Sequence, residues 1–142
     1  MTVISTQPPQ FSNIEVQEII QNIYGINASA SKLDSERDQN FHLKGDDGNE
    51  YVLKISNSQE DIKLIKLQSA ALKHIHGFDA SLNVPIPIES IEGKIINQFN
   101  GNMVRVQSFL KGIFIKDIKN PSPRILHEFG EFLGKLDLAL ME

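Results

Sequence analysis

The chain has 142 residues, 40% of them hydrophobic, with a formal net charge of −4 and no cysteine. That length carries one domain or one lobe of a larger one, and burial of roughly 68–70% of the unfolded surface at that size gives a real core. The acidic balance argues against a nucleic-acid or anionic-membrane partner, the lack of cysteine excludes disulfides and thiolate metal sites, and no apolar run approaches the ~20 residues of a membrane helix.

The opening "MTVISTQPPQF" has neither a basic region nor a long apolar stretch and does not read as a signal peptide. A cytoplasmic protein is the expectation. Residues 1–11 read as a flexible tail. "SNIEVQEIIQNIYG" then reads as a helix: Ser12 and Glu15 form a capping box, Val16, Ile19, Ile20 and Ile23 share a face, and Gly25 stands at the C-terminal cap. From 26 to 56 the apolar period changes to two. "INASASKL", "NFHLKG" and "EYVLKIS" read as strands, with Asp47-Gly48 marking a hairpin between the second and third. The Leu53 and Ile55 register places Lys54 on the opposite face of its strand. "SQEDIKLIKLQSAALKHI" reads as a helix with Ser58 as candidate N-cap and Gly77 near its end. "SLNVPIPI" is extended edge structure, because two prolines remove ladder donors. "GKIINQF" and "NMVRVQSFL" form a second hairpin across Asn100-Gly101. After the connector "KGIFIKDIKNPSP", a last helix starts at Ser122 with Pro123 in its first turn. Its apolar face is Ile125, Phe129, Phe132, Leu133, Leu136 and Leu140, and Gly130 and Gly134 leave room for a close helix contact.

The stretch "LDSERDQNFHL", residues 33–43, is too polar for a core and longer than a tight turn requires. By pattern alone it reads equally as a solvated turn whose Asp and Asn side chains bind their own backbone. Lys54 alone reads as a solvated lysine in an aliphatic strand. The His74/His76 pair is not a metal motif, since a spacing of two puts the rings on different helix faces.

Taken together, "FSNIEVQEIIQNIYG", "LDSERDQNF", "YVLKISN", "LQSAALKHI", "VRVQSFLKG" and "SPRILHEFGEFLGKLDLAL" resemble the aminoglycoside phosphotransferase and choline-kinase-like family. The resemblance is greatest to the hydroxylysine kinase branch and to kinase-like domains fused to class-III aminotransferases. It implies an α+β fold: a protein-kinase-like N-terminal lobe, with an antiparallel five-stranded sheet, an inserted helix and flanking N- and C-terminal helices. The implied organisation is a tail over 1–11, a nucleotide-binding small lobe over 12–112, and a connector and helix over 113–142 leading to a large lobe that is absent.

The resemblance also implies a site. Residues 35–40 would be the phosphate-covering loop, with Ser35, Gln39 and Asn40 as donors and Arg37 and Asp38 beside them. Lys54 would bind the α and β phosphates, and Gln68 would stand where relatives carry a glutamate that tethers this lysine. "QSFLKG" would be the hinge, its backbone near Ser108 and Leu110 meeting the base edge, with Val52, Val84 and Val106 as the apolar slot. The implied cofactor is ATP or GTP with Mg2+, the metal ligands and the catalytic aspartate belonging to the absent lobe. The implied function is transfer of a γ-phosphoryl group to a hydroxyl of an amino-alcohol such as hydroxylysine. The alternatives are a truncated or degenerate module that binds nucleotide or a partner without chemistry, and a structural α+β domain unrelated to nucleotides. The implied partners are nucleotide, the missing C-terminal lobe or a fused aminotransferase, and a second copy of the chain through the exposed lobe interface, with no nucleic acid and no membrane.

Overall fold

A computed structural model of the chain describes residues 7–141. The first part of the expected tail, residues 1–6, lies outside the described residues. The rest of it is tied down rather than flexible. The Phe11 backbone exchanges two hydrogen bonds with the Gln39 side chain, at 2.7 and 2.8 Å, and the Gln7 carbonyl accepts from Asn57 Nδ2 at 3.2 Å.

Helix α1 spans Asn13–Ile19 and carries both halves of the capping box between Ser12 and Glu15. A π-helical turn, Ile20–Tyr24, continues it to Gly25, which caps it in the left-handed region at φ 68°. The wider turn brings Tyr24 into the core while Ile23 is only half-buried. Burial pushes the Tyr24 phenol up to about 12, against the opposing effect of a hydrogen bond with Asn97.

Strands β1 (Ala28–Leu33), β2 (Gln39–Gly45) and β3 (Glu50–Ile55) form an antiparallel meander. Its second connection turns at Gly48, φ 81°. Helix α2, Ile62–Phe78, follows. It departs from the sequence reading at both ends. Asp61, not Ser58, is the N-cap, accepting from Lys63 N at 2.8 Å, and the helix runs through Gly77 to a C-cap at Asp79. Strand β4, Pro87–Ile88, then pairs with β6 (Asn102–Ser108), and so does β5 (Asn97–Phe99). Asn100 and Gly101 turn the last hairpin with φ of 46° and 80°, the left-handed pair that a two-residue turn requires.

The sheet has six strands in the order β1-β2-β3-β6-β4, with β5 on β6. The strand beyond the expected five is β4, the proline-containing edge. Strict alternation gives the sheet two unlike faces. Phe41, Leu43, Leu53, Ile55, Val104 and Val106 pack with Val16 and Ile19 of α1 and Ile20 of the π-helical turn in the main core. On the reverse face, Leu33, Asn40, Lys54 and Arg105 are register partners across four strands.

A connector containing a short 3-10 turn, Ile115–Asp117, leads to α3, Pro123–Met141. Ser122 caps it, its Oγ accepting from Ile125 N at 3.3 Å. Phe132, Leu136 and Ala139 meet Leu72, Ile75, Leu82 and Val84 in a second, smaller cluster. Ile125, Phe129, Leu133 and Leu140 of the anticipated apolar face stay exposed. Nothing lies within 4 Å of a Cβ built on Gly130 or Gly134, so these glycines make no close helix contact.

Candidate functional site

Lys54 stands at the centre of the reverse face because its strand neighbours Leu53 and Ile55 are fully buried on the other side. It makes none of the ion pairs among the described residues. Burial lowers its pKa from 10.5, the Arg105 charge lowers it further, and Asp38 opposes both. Its nearest strand neighbours are Asn40 and Arg105. Asn40 keeps a buried Oδ1 with no hydrogen-bond partner.

The polar loop is shorter than expected. It covers residues 34–38, and Gln39 and Asn40 already belong to β2. Gln39 is 3% exposed, and its Oε1 and Nε2 each bond the Phe11 backbone. Its side chain therefore braces the N-terminal segment, with Oε1 and one N–H of Nε2 committed to Phe11. Ser35 and Arg37 are exposed. Asp38 Oδ1 accepts from Asn57 N at 3.2 Å, and Asn57 Nδ2 reaches the Arg37 carbonyl at 3.4 Å. Asn57, which the sequence reading missed, thus anchors the C-terminal end of the loop. Its only sequence signal is an amide two residues past the end of an apolar strand.

Gln68 does not tether Lys54. Its Oε1 accepts from Arg105 Nη2 at 2.6 Å. Arg105, also missed, is 6% exposed; its Nη1 donates to the Ile65 carbonyl at 3.4 Å and its Nε has no partner. Burial lowers the Arg105 pKa, with Asp38 and Glu60 opposing. The alternation in "MVRVQ", with an arginine between two valines, was the available signal. Lys54, Gln68, Arg105 and Gln107 line one cavity of about 340 Å3. A larger cavity of about 630 Å3 lies elsewhere, between Ile23, Lys66, Ile91 and Met103, and contains none of the candidate residues.

In the segment expected to form the hinge, the N–H and the Oγ of Ser108 are both engaged within the fold. Its N–H donates to the Ile86 carbonyl at 2.9 Å and its Oγ accepts from Ile86 N at 2.8 Å. Leu110 lies just past β6 and is 37% exposed. Between them, the Phe109 ring stacks on His42 at 4.1 Å. His42 Nε2 and Lys111 Nζ meet Glu50 at 2.7 and 2.9 Å. Of the three valines proposed for the base slot, only Val52 shares the reverse face, in register with His42 and Gln107. Val106 is in the core under α1 and Val84 in the α2–α3 cluster. Strand parity explains the first miss: Val106 is one residue out of phase with Arg105 and Gln107. Val84 precedes β4 and belongs to no strand.

Chemically, this face offers two cations that make no close ion pair among the described residues, with Asp38 and Glu60 acting on them at longer range, together with amide side chains and a half-buried valine. That chemistry suits an anion. Among the described residues no three His, Asp or Glu side chains are grouped to hold a metal ion, so no Mg2+ ligand is assigned. No helix of the described residues is long and apolar enough to cross a membrane.

Solved structures share the fold. A spectinomycin phosphotransferase in complex with ADP and spectinomycin superposes with a TM-score of 0.68 at 16% identity, over 89% of this chain and 38% of that one. An amicoumacin kinase in complex with AMP-PNP and Ca2+ gives 0.63 at 16% identity, over 75% of this chain and 34% of that one. In sequence, hydroxylysine kinase of Danio rerio is 29% identical over 143 residues, covering 94% of this chain and 40% of the relative. The chain therefore spans less than half the length of the proteins it matches. The model of the phosphotransferase enzyme family matches residues 29–141, and the chain belongs to that family.

Proposed function

We propose that the chain is the nucleotide-binding lobe of a small-molecule kinase that transfers the γ-phosphoryl group of ATP or GTP to a hydroxyl of an amino-alcohol such as hydroxylysine. The observation that carries this reading is Lys54: a half-buried cation on a strand, without an ion-pair partner among the described residues, beside a second cation. A nucleotide polyphosphate supplies the charge this arrangement lacks. Ser35, Arg37, Asp38 and the loop backbone cover the phosphates, Asn40 flanks Lys54, and the backbone around Leu110 meets the base. The hydroxylysine kinase relative supports the acceptor class. In this reading the base that activates the acceptor and the ligands for Mg2+ belong to the remaining part of the protein, in the cytoplasm.

The test is calorimetric titration with ATP and GTP in the presence of Mg2+, beside Lys54→Ala. Lys54→Ala abolishes binding and leaves the fold intact, because the side chain lies outside the core. Equal affinity in both proteins removes Lys54 from the site. Nucleotide binding by the chain and no phosphoryl transfer by the complete protein favours the non-catalytic module.

A further inference from the structure

A buried guanidinium is ordinarily held by a carboxylate or by acceptors for all its N–H groups. Arg105 has neither. Two neutral oxygens hold its terminal nitrogens, at 2.6 and 3.4 Å, and Nε is left without an acceptor. The side chain makes no ion pair among the described residues. Its register partner is Lys54, which makes none either. Both line the same cavity, whose other polar residues are Gln68 and Gln107, and no Asp or Glu lines it.

We propose that Lys54 and Arg105 together form a receptor for one phosphoryl anion, with Gln68 holding the guanidinium in the receiving orientation. This rests on the reading of the Lys54 face as a phosphate site and adds a specificity-determining residue to it. Gln68 ties down the arginine of β6 and leaves the lysine of β3 without a protein tether. Lys54 is then positioned by the ligand it binds. A planar fork and a point charge on adjacent strands suit a group with several oxygens and two negative charges. Asp38 and Glu60 offset these charges only in part and do not line the cavity, so a doubly charged ligand supplies the remainder.

The experiment uses tripolyphosphate and ATP as probes on the full chain, comparing wild type, Gln68→Glu and Arg105→Met. Gln68 is exposed, so Gln68→Glu leaves the packing alone and places a carboxylate against Arg105. The protein then supplies its own anion. Both variants are expected to bind tripolyphosphate at least about tenfold more weakly than wild type, the loss typical of one charged hydrogen bond. Gln68→Glu binding as tightly as wild type, or more tightly, overturns the proposal, because a carboxylate that merely tethers Lys54 gives that result. Where Arg105→Met fails to fold, Gln68→Glu alone decides. ATP binding that needs Lys54 but ignores both variants overturns the receptor and leaves the nucleotide reading standing. Tripolyphosphate binding that needs Arg105, with no gain from the nucleoside of ATP, upholds the receptor and removes the nucleotide reading. Absence of binding of either probe to wild type overturns both.

Discussion

Lys54 is held below its ordinary pKa of 10.5 first by burial and then by the Arg105 charge. In the folded, ligand-free protein the charged form is disfavoured, so its cost to stability is present below the lowered pKa and relieved as pH rises through it. An anion placed on Lys54 reverses the shift. Binding therefore takes up protons in the window between the lowered value and 10.5, and affinity falls as pH rises through that lowered value. Titrations in buffers of different ionisation enthalpy read the proton count directly, and zero uptake by the wild type, with binding that persists in Lys54→Ala, places the anion elsewhere. Lys54 was legible in the sequence because a strand's period of two assigns faces without further information. The partnership of Gln68 with Arg105 was not. It depends on how β6 pairs with β3 and on where α2 settles, and both are long-range facts. Gln39 shows the same limit: an amide in a polar run looks like a ligand donor until the backbone 28 residues earlier takes both of its groups.

The elements were read well where start and stop signals agreed. The Ser12–Glu15 capping box, the Asn100-Gly101 turn and the Ser122 cap all stand where the residue chemistry put them. The start of α2 was harder, because "SNSQED" offers several residues able to accept from a free N–H. Asp61 prevails, and Asn57 and Ser58 remain in the preceding turn, where Asn57 Oδ1 accepts from Gln59 N at 3.0 Å. Asp61→Ala is accordingly expected to cost about 1 kcal/mol in unfolding free energy, and Ser58→Ala a few tenths or less. Denaturant melts of the two variants distinguish the caps; the reverse order removes Asp61 from that role. The π-helical turn at Ile20–Tyr24 had no sequence signal, since Ile19, Ile20, Ile23 and Tyr24 fit an ordinary helix as apolar neighbours. Packing against the sheet selects among them.

At the scale of the molecule, the apolar residues divide into two clusters of unequal size. One joins α1 to the sheet, and the other joins α2 to α3. Only Ala139 of α3 is buried, and Phe129, Leu133 and Met141 are exposed at 46%, 43% and 83%. A helix with so few buried contacts opens locally at low free energy. Hydrogen exchange is expected to release the α3 amides well before those of β2 and β3, and equal protection of α3 and the sheet contradicts this two-part picture. Composition told of a core but not of its division, because periodicity marks an apolar face without saying what covers it.

The segment before α1 has a bearing on handling as well as on shape. Phe11 and Gln7 are laced to Gln39 and Asn57, the residues that flank the polar loop on β2 and beyond β3. A chain trimmed to begin at Ser12 leaves out no residue of any helix or strand, yet gives up the belt that cinches the polar loop beside the Lys54 face. An affinity handle or a fusion joined at that end pulls on the same belt. The choice of where to cut and where to attach thus bears on how firmly the loop ending at Asp38 is held, through Asn57.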